Sequence, residues 1–331
     1  MYDKKLKAAV VGAGGWGYQH ARALFEREDV ILGGIYGRTE ERTKKRAEQF
    51  RTNAYTDLDR MIETEQPDLI CICLPAQHTF ETTMKLIETG IPLLVEKPLA
   101  YDLHEAEELI RAAEAKNLFF AIDFEQRYSI PCQMAKQAIL DGRLGTPVFA
   151  NWRFGHGWGS EIIDHPFTNL IEAQCHGFNT LEFFFGPIRS VMAEMTQNGG
   201  KQSFATFSLA LSFENGAVGT FFATLDANEH NRLCQLIELG GTDARILIED
   251  NVQRYTFQPT FSDTAETWSA GFFDDVGRAF SKSLDRYLDD MIPALRRGGQ
   301  PPVPAAEGLR ARRIAEACIR SFETGTRVSV D

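Results

Sequence analysis

Hydrophobic and polar positions follow two rhythms along this chain, and the change falls near residue 124. Before it, short and almost wholly apolar runs at 6–11, 30–36, 69–74, 91–95 and 118–123 alternate with stretches in which apolar residues recur every three or four positions. Continuous apolar runs of this length read as strands buried on both faces, and the three-to-four spacing reads as amphipathic helix. Helices are predicted from the glycines after residue 11 through Phe25, over 40–50, over 58–63 behind Asp57, up to Thr89 with Gly90 as the stop, and over 103–116 behind Asp102. Strands that alternate with helices imply a doubly wound parallel sheet, an α/β fold.

After residue 124 the runs become strand-like at 147–155, 188–195, 205–213, 217–225, 234–240 and 244–249, with Glu214-Asn215-Gly216 as a hairpin signal. A helix ends near Leu140, another is predicted over 168–185, and a last one over 307–322 follows the loop Gly298-Gly299-Gln300-Pro301-Pro302. Consecutive hairpins make a mostly antiparallel sheet, so the second half is α+β. The expected division is 1–123 and 124–331.

A chain of 331 residues has room for two such domains. Its net charge of -11 argues against nucleic acid or an anionic membrane surface as the partner. No apolar run approaches a membrane span, and the opening Met1-Tyr2-Asp3-Lys4-Lys5 leads into a strand rather than a signal-peptide core. The six cysteines are scattered, with Cys71 and Cys73 in one buried strand, where their side chains are expected to face opposite ways. That is neither a disulfide framework nor a zinc knuckle, and it suits a reducing, cytoplasmic setting.

The first apolar run meets Gly12-Ala13-Gly14-Gly15-Trp16-Gly17 and then a helix, the context in which G-x-G-x-x-G marks a dinucleotide site. Gly12 allows the tight turn, Gly14 admits a pyrophosphate to the backbone, and Gly17 permits close helix–strand packing, while the helix N-terminus offers free N–H groups. An NAD site usually carries Asp or Glu at the end of the second strand, and here Gly37-Arg38-Thr39 stands instead. Arg38 and Thr39 are therefore candidates for a 2′-phosphate, which favours NADP over NAD. The plainer reading has Thr39 capping the next helix and Arg38 in solvent. Leu74, Pro75 and His78 follow the 69–74 strand and are candidates to line the cofactor's ribose and adenine side, with helix capping the alternative for His78.

Within the stretch 91–100, the apolar run 91–95 ends in Glu96-Lys97-Pro98, a lysine fixed at a strand end where ligands meet side chains. Such a lysine is a candidate proton donor and acceptor, with Glu96 positioned to orient it. In the predicted 168–185 helix, Glu172, His176 and Asn179 are spaced by four and three, which places them on one face. Trp152, Arg153, His156 and Trp158, on the strand and loop before it, make either a sugar-stacking wall or ordinary sheet packing. The spacing of His156, His165 and His176 fits no metal-ligand pattern, and no metal is expected.

In order along the chain, Val11-Gly12-Ala13-Gly14-Gly15-Trp16-Gly17, Glu96-Lys97-Pro98, Gln126-Arg127-Tyr128 and the closing Glu316-Ala317, Ser321, Thr324-Gly325 and Val328 resemble the Gfo/Idh/MocA family of glucose–fructose oxidoreductases, inositol dehydrogenases and other sugar dehydrogenases. The resemblance implies a Rossmann domain followed by a large open, mostly antiparallel sheet through which copies assemble as a dimer or tetramer, with nicotinamide and substrate between the domains. The family's second signature has an aspartate, a histidine four further on and an aspartate three beyond that. Glu172, His176 and Asn179 hold those places, and Thr168-Asn169 replaces the usual upstream glycine pair. The resemblance makes Lys97 and His176 the catalytic pair, Glu172 and Asn179 substrate-contacting positions, and Arg127 a contact to nicotinamide or substrate. It implies an NAD(P)-dependent oxidoreductase on CH–OH groups of a sugar, cyclitol or polyol. It leaves as alternatives a dinucleotide-sensing binding protein without turnover and an NAD-dependent glycosidase.

Overall fold

The computed structural model describes residues 4–156, 165–199, 203–226 and 233–331. The chain forms two compact units, one of the residues up to Phe124 with Leu284–Leu309, the other of Glu125–Ser283 with Arg310–Asp331.

The first unit is built on six parallel strands: β1 (Leu6–Val11), β2 (Val30–Tyr36), β3 (Asn53–Tyr55), β4 (Leu69–Ile72), β5 (Leu93–Glu96) and β6 (Phe120–Asp123). Their order is β3-β2-β1-β4-β5-β6, so the winding reverses between β1 and β4. Loops at the carboxyl ends of strands beside such a reversal form a crevice for ligands. The helices α1 (Gly15–Phe25), α2 (Glu40–Gln49), α3 (Leu58–Glu65), α4 (Thr79–Glu88) and α5 (Leu103–Ala115) connect the strands. β4, β5 and β6 are buried at every position, as parallel strands covered on both faces must be. Asp57 and Asp102 cap α3 and α5 by accepting from the amides of Arg60, and of His104 and Glu105.

Two elements of this unit lie beyond the sequence expectations. β3 is only three residues long. The helix Lys282–Arg296 buries Leu284, Tyr287, Leu288, Met291 and Ile292, a plain three-to-four pattern. Tyr287 donates from its hydroxyl to the Ile122 carbonyl at 3.0 Å, and Asp285 and Asp289 pair with Arg22 and Arg27 at 2.6 and 2.5 Å.

The second unit carries a nine-stranded sheet in the order β14-β13-β12-β11-β7-β10-β9-β8-β15. Its strands are β7 (Pro147–Gly155), β8 (Ile188–Thr196), β9 (Thr206–Phe213), β10 (Val218–Thr224), β11 (Gln235–Gly241), β12 (Ala244–Glu249), β13 (Arg254–Pro259), β14 (Glu266–Trp268) and β15 (Val328–Ser329). All pairs are antiparallel except β7 with β10. The chain leaves β7 through a helical excursion and returns in β8 at the far side of β9 and β10, so β7 enters the middle of the sheet. Along β9, buried Phe207, Leu209, Leu211 and Phe213 alternate with less buried neighbours, which fits a sheet with one covered face. α6 (Ile130–Leu140) and α7 (Cys175–Phe185) pack against the sheet. Ser129 caps α6 through the Cys132 amide.

One side chain ties the edge of the first sheet together. The Glu65 carboxylate, at the end of α3, takes hydrogen bonds from Asn53 Nδ2 (2.7 Å) and the Tyr55 hydroxyl (2.5 Å) and pairs with Lys7 Nζ at 2.8 Å. Burial alone would raise its pKa, but the bonds from Lys7, Tyr55 and Asn53 outweigh it and hold the group below its ordinary 4.5. Its contribution is therefore complete above that value and disappears as pH falls through the lowered one. Glu65→Gln should cost roughly 1–3 kcal/mol of stability at neutral pH, measured by urea unfolding. The deficit should shrink in acid below pH 4.5, and a constant deficit would contradict the assignment.

Candidate active site

The candidate residues fall in both units. In the first, the turn after β1 is fixed by backbone packing. Gly12 has φ +127°, and a Cβ there would lie 2.2 Å from the Cys73 carbonyl oxygen. A Cβ on Gly17 would lie 1.9 Å from the Gly12 carbonyl oxygen. Both glycines are demanded by the fold. Gly14 differs, because a Cβ there meets nothing within 4 Å and its φ is -78°. Nothing within the protein asks for glycine at this position, whereas a diphosphate lying against the backbone would.

α1 starts beside Gly14 with no side-chain cap and no acidic residue in its first turn. Its first amides and the positive end of its dipole are thus available to an anion. A cleft of about 340 Å³ adjoins the turn, lined by Ala13, Gly14 and Gly15 and, from α2, by Arg42, Lys45, Arg46 and Gln49. The Arg46 guanidinium lies 4.7 Å over the Tyr18 ring. These basic residues form the run Arg42-Thr43-Lys44-Lys45-Arg46, and the sequence reading missed them. The signal was present in a helix opening directly after Arg38 and Thr39.

Arg38 and Thr39 are exposed at the end of β2. Thr39 occupies the N-cap of α2 without a side-chain cap bond. Leu74 is half-buried, and Pro75 and His78 are exposed, in the connection from β4 to α4. His78 stands at the N-cap of α4 and makes no cap bond there. Trp16 is exposed in the first turn of α1.

Lys97 directly follows β5, half-buried, with a cis peptide bond to Pro98. Glu96 points inward: its carboxylate meets His20 Nε2 at 2.9 Å, and His20 Nε2 also lies 3.2 Å from Asp123 Oδ2. Both cysteine thiols lie against the same imidazole. The expectation that Cys71 and Cys73 face opposite ways is thus corrected, since side chains two apart in an extended chain share a face.

In the second unit, a 3-10 turn, Glu125–Tyr128, carries Arg127, whose guanidinium carbon lies 5.2 Å from the centre of the Phe183 ring. The predicted single helix over 168–185 is corrected. A π-turn, Asn169–Ala173, closed by the Gln174 amide on the Asn169 carbonyl (3.0 Å), precedes α7. Glu172 lies in that wider turn, so its spacing of four to His176 does not put it on the same helix face. His176 and Asn179 share α7, and both are buried.

His176 Nε2 is 3.8 Å from Glu125 Oε2, and the Glu125 side chain is almost wholly buried. At that separation the pair is electrostatic rather than hydrogen-bonded. Glu125 is a second residue that sequence reasoning missed, because no spacing links it to His176. Gly177 lets α7 press onto the sheet, where a Cβ would lie 2.5 Å from Phe221 and 2.7 Å from Trp152.

That contact also corrects the sugar-stacking wall. Trp152 is 2% exposed, stacked on Phe221 at 5.7 Å and donating from Nε1 to Gln174 Oε1 at 3.1 Å. It is core. Arg153, the next residue of β7, projects to the opposite face by strand alternation and donates to the Leu233 carbonyl at 3.2 Å. His156 is half-buried just past β7, and Trp158 lies outside the described residues.

Comparison with known proteins places these features in context. Residues 6–124 match the family model for an oxidoreductase family with an NAD-binding Rossmann fold, and residues 136–330 match that for the family's C-terminal alpha/beta domain. The D-glucoside 3-dehydrogenase of Escherichia coli K12 is 23% identical over 100% of this chain and 99% of its own length. The myo-inositol 2-dehydrogenase of Thermotoga maritima is 22% identical over 98% and 99%. A levoglucosan dehydrogenase solved with NADH and levoglucosan has the same fold, with TM-score 0.88 at 19% identity over 99% of this chain and 100% of that one. Among the described residues, no helix is long and apolar enough to cross a membrane.

The glycine geometry yields a direct test. Gly14→Ala should fold with a wild-type melting curve yet weaken NADH and NADPH binding at least tenfold, read by quenching of protein fluorescence. Gly17→Ala should lose both stability and binding. Unchanged cofactor binding in Gly14→Ala would place the diphosphate elsewhere.

Proposed function

This chain belongs to the Gfo/Idh/MocA oxidoreductase family, and from that premise we propose that it is an NAD(P)-dependent dehydrogenase or reductase acting on a CH–OH carbon of a sugar, cyclitol or related polyol. The carrying observation is the pairing of an open-sided glycine, Gly14, at the dinucleotide turn with a lysine at the end of a fully buried inner strand of the same sheet. The full-length similarity to dehydrogenases of a glucoside and of myo-inositol supports the substrate class.

For the cofactor we favour NADP over NAD. The end of β2 lacks the carboxylate that would repel a 2′-phosphate, and Arg38 and Thr39 are exposed there. Arg42, Lys45 and Arg46 add cationic charge beside the glycine turn. A compact dianion suits that lining.

When bound, the nicotinamide supplies the two-electron acceptor for the carbinol carbon. His176 accepts the proton of the hydroxyl, and the Glu125 carboxylate 3.8 Å away favours the imidazolium that results. Lys97 donates to the same oxygen and stabilises the charge that builds on it. Glu172, Asn179 and Arg127 hold the neighbouring hydroxyls or the nicotinamide, with Arg153 and His156 further candidates for substrate contact. Copies assemble as a dimer or tetramer through the exposed face of the nine-stranded sheet, where Val218 projects, in the cytoplasm.

Three variants test this reading. Lys97→Met should lower kcat by about a thousandfold while NADPH still binds. His176→Ala should slow alcohol oxidation and remove the acid limb of its pH profile. Arg38→Ala should weaken NADPH much more than NADH, as seen in parallel fluorescence titrations. Near-normal turnover in Lys97→Met, an intact acid limb in His176→Ala, or equal losses for both cofactors in Arg38→Ala would overturn the corresponding role.

A further inference from the structure

Beneath the end of β5 lies a group of ionisable side chains that the proposed chemistry does not use. His20 reaches in from α1, Glu96 ends β5 and Asp123 ends β6, and all three are buried. Their nearest ligand atoms fall within 4.8 Å of one another. His20 Nε2 lies 2.9 Å from Glu96 Oε1 and 3.2 Å from Asp123 Oδ2, so one nitrogen faces two carboxylates. Among the described residues, neither Asp123 oxygen takes a well-aligned hydrogen bond, and His20 Nε2 is the donor that stands nearest. The remaining titratable neighbours are the thiols of Cys71 and Cys73 beside the imidazole and the ammonium of Lys97 near Glu96.

Two carboxylates this close in a buried site cannot both stay charged without a cation between them. An imidazolium at His20 supplies it. With Lys97 the site then holds two positive and two negative charges and is neutral, which a buried group requires.

We propose that His20 is a positioning residue for Lys97: as an imidazolium it clasps the Glu96 carboxylate against Asp123 and so keeps a full negative charge one residue before the lysine.

The titration tendency of His20 agrees. Burial by itself would lower the His20 pKa, yet the Cys73 sulfur and the Asp123 carboxylate carry it well above the usual value. The Cys73 thiol is itself pushed up to about 12, mainly by burial, so at neutral pH the negative charge facing His20 belongs to the carboxylates. For Glu96, burial and the Asp123 charge outweigh the pull of His20 and Lys97 and hold its pKa above the ordinary 4.5, so every cation beside it counts toward keeping it ionised. His20 is thus the group whose loss would neutralise Glu96.

The inference rests on the role proposed for Lys97, so its test reads that lysine directly and not turnover. The proton affinity of Lys97 is measured on the full chain by competitive acetylation with acetic anhydride from pH 6 to 11, followed by peptide mass spectrometry. In His20→Gln, one carboxylate should take a proton and the Lys97 midpoint should fall by about one pH unit. Glu96→Gln should shift it the same way and serves if His20→Gln does not fold. Asp123→Asn removes the charge that raises Glu96, so Glu96 stays ionised and the Lys97 midpoint should not fall, although a role confined to packing would make it behave like the other two.

An unchanged midpoint in His20→Gln or Glu96→Gln, or a shift in Asp123→Asn equal to theirs, overturns the proposal. So does stoichiometric uptake of zinc alone by the wild-type chain that His20→Gln abolishes, because the trio would then be a cation site. Loss of turnover in Lys97→Met is a separate question, so failure of this inference and failure of the catalytic assignment remain distinguishable.

Discussion

At the turn after β1, the Gly17 backbone packs against the Gly12 carbonyl while Gly12 packs against the Cys73 carbonyl, and neither contact leaves room for a Cβ. Much of the first unit follows from that double approach. It seats α1 close enough to the sheet for His20 to touch side chains from β5 and β6. It also leaves the first amides of α1 without a side-chain cap beside the open Gly14. A bulkier residue at Gly12 or Gly17 would lift the helix and remove the anion site and the buried charge cluster together.

The cost of this arrangement is electrostatic. Glu96 and Asp123 are ionisable groups in a core, where hydrophobic residues of the same volume would serve stability as well or better. Such groups earn their place where a reaction needs a fixed charge. In the second unit Glu125 is likewise buried, near His176, and the helix bearing His176 is drawn onto the sheet at Gly177. By contrast the Glu65 knot joins Lys7, Asn53 and Tyr55 at the edge of the sheet and reads as purely structural.

The local signals in the sequence translated well where they are covalently close. The strand–glycine–helix turn, the Asp57 and Asp102 caps and the alternating strands of the second unit all appear where periodicity and capping chemistry put them. The helix Lys282–Arg296 was legible in its apolar spacing, although Pro293 interrupts the pattern near its end. What could not be read were contacts between distant residues. Nothing in the order of the chain joins His20 to Glu96 and Asp123, or Glu125 to His176. Trp152 misled for a related reason, because an aromatic on a strand can face a ligand or a helix, and only the packing of α7 decides. The spacing of Glu172, His176 and Asn179 assumed one continuous helix, and the π-turn at Asn169–Ala173 breaks that assumption.

The role proposed for Lys97 and His176 is joint action on one hydroxyl next to nicotinamide. It is tested most directly by a double-mutant cycle on polyol oxidation, followed at the absorbance of reduced nicotinamide with NADP+ and a panel of aldoses and cyclitols. The panel should contain a substrate, and the combined Lys97→Met and His176→Ala variant should be scarcely slower than the worse single variant, as for groups that act as a unit. Costs that simply multiply would mean the two side chains act independently, and a panel that binds beside the cofactor without any change in absorbance would contradict the oxidoreductase assignment itself.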